Sequence, residues 1–255
     1  VHAHFVGEAA EFARVVASVA GVPWSVTAHA VDLFVPRPTV PELLRAARPA
    51  ITVCEHHRAY VARTYGVEVA VVRCGVPLEV PRADPGAPGL RVVCVARDVP
   101  KKGLDALVDA VRAVPGATLR LVSDATRLAG PGVAVGPLRP SEVPAALAAA
   151  TLFALPCRIA PNGDRDGIPV ALLEAMAAGL PVMSTRVSGV PEVVDDAVGW
   201  LIPPDDPQAL VAALTAALDP SERARRGEAA RARVSGWSID AQVDGLLAAW
   251  RGELH

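Results

Sequence analysis

Short Val/Ile/Leu-rich runs alternate with helical periodicities along the whole chain: VHAHF, GEAAEFARVVASVAG, WSVTAH, AITV, EHHRAYVARTYG and VEVAVV, then LRVVCVAR, KGLDALVDAVRAV, ATLRLVS, GVAVG, TLFALP and PVMST. Strand-like runs separated by helices cannot close as hairpins, so they predict βαβ units, a parallel sheet and an α/β fold. Further helices are expected near 141–149, 169–179, 206–218, 221–233 and 239–250. The alternation breaks at residues 76–89, where Pro77, Pro81, Pro85 and Pro88 occur with Gly86 and Gly89 and no apolar period. Such a stretch connects domains. The expected organisation is therefore a first Rossmann-like domain over 1–75, a linker over 76–89, a second doubly wound domain over 90–237, and a closing helix within 238–255 that crosses back to the first domain. About three strands are counted in the first domain, too few for an open sheet of this kind. That domain is read as incomplete, with its opening segment outside this sequence.

Composition excludes several classes of function. The 255 residues carry a formal charge of −2 with no basic run, which leaves no footprint for nucleic acid or an anionic membrane. Cys54, Cys74, Cys94 and Cys157 are widely spaced, mostly in or beside apolar strand-like runs. They read as reduced, packed thiols in a reducing compartment. The most membrane-like run, VPAALAAATLFALPC at 143–157, is too short to span and contains Pro144 and Pro156. A small-molecule ligand is the better expectation.

Two spaced constellations point to that ligand. The helix PVALLEAMAAG starts at Pro169 and stops at Gly179, with Val170, Leu173, Met176 and Ala177 as its core stripe. It carries one carboxylate, Glu174. An ionised carboxylate buried alone costs several kcal/mol, so Glu174 must see water or meet a hydrogen-bond donor such as a sugar hydroxyl. Asp166 lies in the loop before the helix, where ligands of open α/β sheets bind and the helix dipole favours anions. Two carboxylates spaced in this way can hold two hydroxylated groups on either side of a phosphate. The plainer alternatives are a helix cap for Asp166 and a solvated position for Glu174.

The second constellation is ARDVPKKG at 96–103. Arg97 ends a buried strand and Lys102 begins the next helix, so both are expected to face the ligand crevice as a diphosphate clamp. The chain has 23 arginines and only two lysines, Lys101 and Lys102, paired at this corner. Lys101 is taken as an ordinary exposed charge.

Together these stretches resemble the group 1 (family 4) retaining glycosyltransferases, which share the two-domain GT-B architecture. The pattern R-x4-K-G appears as Arg97…Lys102-Gly103, and E-x7-E as Asp166…Glu174, followed by EAMAAGLPV and GVPEVVDDAVGWLIPPDDPQAL. The wording GDRDGIP with LLEAMA is similar to bacterial exopolysaccharide enzymes of the colanic-acid type. The resemblance implies that Glu174 grips the nucleotide ribose, Asp166 the transferred sugar, and Arg97 and Lys102 the diphosphate. Gly167, Ile168, Pro169 and Val170 would line the donor between the two acids. His29, in SVTAHAVDLF, matches the family's T-x-H segment and would face the donor sugar.

The implied reaction moves a sugar with retention from a nucleotide-sugar to a saccharide or lipid-linked acceptor. It needs no metal or other cofactor, and takes place in the cytoplasm or at its membrane face. Any membrane contact would be peripheral, through the part of the first domain outside this sequence. Departures are Asp166 in place of the first glutamate, Ala30 in place of glycine after the histidine, and a shortened SDATRLAGPG segment after LRLV. The remaining readings are a silent nucleotide-sugar binder and a sugar-nucleotide epimerase. Asp164-Arg165-Asp166 spells D-x-D, discounted as a metal site because three residues recur by chance. His2 and His4 are expected to pack near His29, and His56 and His57 to face solvent.

Overall fold

The computed structural model describes residues 1–35 and 37–254, so Pro36 and His255 lie outside the described residues. The front lobe runs β1 (His2–His4), α1 (Glu8–Ala20), β2 (Ser25–Ala28), α2 (Ala30–Phe34), α3 (Val40–Ala46), β3 (Ala50–Thr52), α4 (Glu55–Tyr65) and β4 (Ala70–Val71). Its sheet is parallel, in the order β1-β2-β3-β4. It holds four strands where about three are counted from sequence, because Ala70–Val71 pairs over only two residues of an otherwise irregular run.

The rear lobe continues with β5 (Leu90–Val95), α5 (Leu104–Ala113), β6 (Ala117–Val122), β7 (Val133–Val135), α6 (Val143–Ala148), β8 (Leu152–Leu155), α7 (Val170–Ala177), β9 (Val182–Thr185), β10 (Gly199–Ile202), α8 (Pro207–Ala216) and α9 (Pro220–Arg233). The chain then forms α10 (Ile239–Trp250). The second sheet is parallel in the order β10-β9-β8-β5-β6-β7. β5 and β8 are its centre, and the chain winds outward from them in both directions, which makes the gap beyond their C-terminal ends the topological switch point. Every residue of β8 and β9 is buried, as expected of strands covered on both faces; β8 is an unbroken apolar run, and the Ser184 and Thr185 hydroxyls of β9 donate to the carbonyls of Leu155 and Cys157. In α5, Leu104, Leu107, Val108 and Val111 form the buried stripe. Burying each such side chain contributes about 1.5–3 kcal/mol.

Sequence periodicity misses β10, a four-residue strand after a tight turn, and the short helices α2 and α3. Between β6 and β7 there is a single 3-10 turn at Thr126–Leu128, so the shortened segment carries no crossover helix there. Pro169 is the N-cap of α7 and not its first turn, and Val170 is exposed, unlike the rest of the expected stripe. α10 packs on the front sheet: Trp250 Nε1 donates to Ser25 Oγ at 3.0 Å, and Ala249 clusters with Ile51, Ala70 and Val72. Among the described residues no helix is long and apolar enough to cross a membrane.

Candidate functional site

The loops that follow β5 and β8 meet at the switch point. After β5 the chain passes Arg97 and enters a 3-10 turn at Pro100–Lys102, which ends at Gly103 with φ 63°. A Cβ at 103 would overlap the carbonyl oxygen of Pro156 at the end of β8, so only glycine lets the two loops approach this closely. That approach brings Lys102 Nζ to 2.6 Å from Asp166 Oδ2. Lys101 Nζ lies 3.3 Å from Asp166 Oδ1 and 3.0 Å from Asp164 Oδ1. Lys101 is therefore buried and paired, not an exposed turn charge as expected. The D-x-D carboxylates are held by the two lysines of the chain.

Burial alone would push the Asp166 carboxyl up, but the Lys102 ammonium, and then Lys101, outweigh it and hold it below the ordinary carboxylate range. Asp166 is thus an ionised acceptor with spare lone pairs. The Cys157 thiol lies 3.6 Å from Asp166 Oδ2. Its pKa is pushed up by burial and then by the Asp166 charge, so it stays a thiol.

The remaining expected site residues are placed differently. Arg97 is exposed and enters no ion pair among the described residues. Its charge is felt by Asp124, which is lowered first by the backbone N–H of Asp98 and only lastly by Arg97. The structure thus joins Lys102 to Asp166 and leaves Arg97 at the rim. Glu174 lines a cavity of about 250 Å³ walled by Pro77, Val80, Pro140, Val143, Leu147 and Ala178 among others. Burial pushes its carboxyl up, and no side-chain hydrogen bond engages it among the described residues. Arg97, Lys102 and Asp166 do not line this cavity, so the carboxylates of Asp166 and Glu174 face different hollows and not one shared cleft.

His29 N-caps α2 and donates its backbone N–H to Asp32 Oδ2 at 2.9 Å. Its Nε2 lies 3.2 Å from His4 Nδ1, so the histidine pair of β1 does pack near it. His2 bonds Ser25 and Thr27 through its two ring nitrogens. Burial and then His4 lower His29 to about 4, so at neutral pH it is an uncharged imidazole.

Inter-lobe contacts escape sequence reasoning. Glu192 of the rear lobe accepts from the N–H of His56 at 2.8 Å and of Glu55 at 3.2 Å, and pairs with Arg73 at 2.7 Å. It caps α4, whose own N-cap Cys54 makes no side-chain bond. Arg165 stacks 4.3 Å over the ring of Phe34. His57, expected to face solvent, has no exposure: it is wedged against Gly167, where a Cβ would sit 2.6 Å from His57 Cε1. Contacts between residues more than a hundred positions apart leave no local signal. The local hint is the glycines themselves: a Cβ on Gly167 would meet His57, and one on Gly189 would meet Cys54.

A parallel sheet wound outward from β5 and β8, with two lysines paired to two aspartates at its switch point and a second, smaller parallel sheet beside it, defines a two-lobed α/β fold of Rossmann-like units. Sequence comparison names the family. The profile of the family described as "Glycosyl transferases group 1" matches residues 89–220, more than half of the chain, and the chain belongs to that family. It is 37% identical over 66% of its length, and 47% of the relative's, to a putative colanic acid biosynthesis glycosyltransferase of Escherichia coli. It is 39% identical over 49% of its length, and 35% of the relative's, to an amylovoran biosynthesis glycosyltransferase of Erwinia amylovora. The chain thus spans about half the length or less of these curated relatives.

Among solved structures, HepE of Anabaena, determined in complex with UDP and glucose, aligns over 96% of this chain and 76% of its own, with a TM-score of 0.81 at 20% identity. Sucrose-phosphate synthase of Thermosynechococcus elongatus aligns over 98% and 72%, with a TM-score of 0.80 at 22% identity. These neighbours share the GT-B fold, which is the fold of this chain.

Proposed function

We propose that the chain is the donor-binding part of a retaining glycosyltransferase that moves a sugar from a nucleotide-sugar to a saccharide or lipid-linked acceptor in cell-surface polysaccharide synthesis, in the cytoplasm or at its membrane face. The observation that carries this reading is the contact of Lys102 with Asp166 at the switch point of a doubly wound sheet. Lys102 has three N–H donors, so it can keep Asp166 and also reach a diphosphate oxygen. There it would stabilise the charge that builds on the leaving group as the glycosidic bond breaks. Asp166 would accept from hydroxyls of the transferred sugar, Gly167, Ile168, Pro169 and Val170 would line the donor, and Arg97 would close on the diphosphate from the rim. Glu174 would accept from the ribose. His29, uncharged, would face the sugar from the front lobe. The residues present supply the positive charge, and the reading needs no metal. The names of the polysaccharide glycosyltransferases among the relatives support the pathway class.

Incubating the protein with UDP-glucose, GDP-mannose and related nucleotide-sugars, with and without oligosaccharide acceptors, tests this. Acceptor-dependent release of nucleoside diphosphate is expected. A changed sugar on an intact nucleotide would show epimerisation instead.

A further inference from the structure

His57 takes no part in the site as proposed above, yet it is fully buried at the lobe boundary. Its hydrogen bonds fix its chemistry. With the Thr52 hydroxyl proton assigned to the carbonyl oxygen of Ala28, 3.4 Å away, Thr52 Oγ1 accepts from His57 Nδ1 at 3.2 Å. That assignment puts the hydrogen on Nδ1 and a lone pair on Nε2. Among the described residues that Nε2 is buried without a hydrogen-bond partner. Burial, then His56, push the ring to about 4, against a smaller opposing effect of Glu192. The imidazole is neutral across the physiological range.

A buried acceptor without a donor costs about 1–3 kcal/mol, and such groups in native proteins call for an explanation. The position of this one supplies it. A Cβ on Gly167 would lie 2.8 Å from Nε2, so the orphan lone pair abuts the residue that follows Asp166. Phosphate oxygens are acceptors, and a neutral imidazole lone pair repels them. A sugar hydroxyl is a donor of the right kind and size.

We propose that His57 is a sugar-binding residue of the donor site, its Nε2 accepting a hydrogen bond from a hydroxyl of the transferred sugar. Seating that hydroxyl requires the Gly167 peptide, which lies against the ring, to move away from it. The inference rests on the nucleotide-sugar reading of the Asp166 site and adds a second front-lobe residue, beside His29, to sugar recognition. His57 then separates a nucleotide-sugar from the bare nucleotide, because only the former carries the hydroxyl.

The test titrates UDP against UDP-glucose, and GDP against GDP-mannose, by calorimetry, into the wild-type chain, His57→Leu and Thr52→Val. Thr52→Val keeps the imidazole but removes the acceptor that fixes its tautomer, and serves if His57→Leu does not fold. His57→Leu is expected to weaken the nucleotide-sugar at least tenfold and to change the bare nucleotide less than twofold. Thr52→Val should move in the same direction by a smaller factor. In ¹⁵N spectra, the unprotonated ring nitrogen of His57 should shift upfield with the nucleotide-sugar and stay in place with the bare nucleotide. Equal losses for both ligands, or no loss where the wild type binds nucleotide-sugar, would overturn the assignment of His57 and leave the donor site standing. A wild type that binds no nucleotide-sugar would overturn the donor site itself.

Discussion

One carboxylate bridges the only two lysines of the chain: Asp166 lies 2.6 Å from Lys102 Nζ through Oδ2 and 3.3 Å from Lys101 Nζ through Oδ1. Lys102→Ala leaves Asp166 with one cation in a mostly buried setting. Stability is expected to fall by about 1–3 kcal/mol and donor affinity at least tenfold, measured by urea denaturation and calorimetry. Because the folded-state pKa of Asp166 is depressed, its stabilising contribution is present above the unfolded carboxylate range and is lost as pH falls through the folded value. The gap between wild type and Lys102→Ala should therefore narrow in acid, below about pH 4.

Gly167→Ala puts a methyl 2.6 Å from His57 Cε1. Overpacking of this kind costs about 1–3 kcal/mol. In Gly167→Ala/His57→Ala the clash is gone, so the double variant should be more stable than the sum of the single losses predicts, by about 1 kcal/mol or more in a double-mutant cycle. Additive losses would mean that the two residues do not meet.

Glu192→Ala removes the trans cap of α4 and the partner of Arg73. The expected cost is about 1–3 kcal/mol, with faster hydrogen exchange confined first to the amides of Glu55 and His56. Burial raises the Glu192 carboxyl, but the His56 N–H and Arg73 outweigh it and leave it lowered. The lobe contact is therefore held above the unfolded glutamate range and loosens as pH falls through the folded value.

His2, His29 and His57 are each lowered to about 4, by burial first in every case and then by a neighbouring histidine. The folded state binds these protons less readily than the unfolded state, so the contribution is present above the unfolded value of 6.5 and is lost as pH falls toward 4. Near pH 5, unfolding should take up two to three more protons than at pH 8, read from the pH dependence of the unfolding free energy. His57→Leu should lower that uptake by about one.

Much of this was legible in the sequence because the signals are local. The R-x4-K-G corner fixes its own glycine through the close approach to Pro156, and the acid at 166 and the glutamate at 174 flank one helix start. Alternating apolar runs marked both sheets, yet β10 was missed because Gly199–Ile202 opens with glycine, lacks β-branched residues before its last position and is only half buried. Lys101, Asp164, Glu192 and His57 were missed or misplaced for another reason: each acts on a partner brought near by the fold. A lysine read from its own neighbours looks like a surface turn, and only the packing of the β5 loop against the β8 loop buries it.

Glu174 separates ligand from structure most cleanly, since burial penalises its charge and no protein side chain engages it among the described residues. Calorimetric titration of UDP-glucose and GDP-mannose into wild type and Glu174→Gln, alongside their melting temperatures at pH 7, puts the donor site to its most direct test. The expected result is saturable binding of at least one nucleotide-sugar by the wild type, weakened about tenfold or more in Glu174→Gln, whose melting temperature is equal or higher. Affinity that does not change with the substitution, or a marked drop in melting temperature at unchanged affinity, would contradict it.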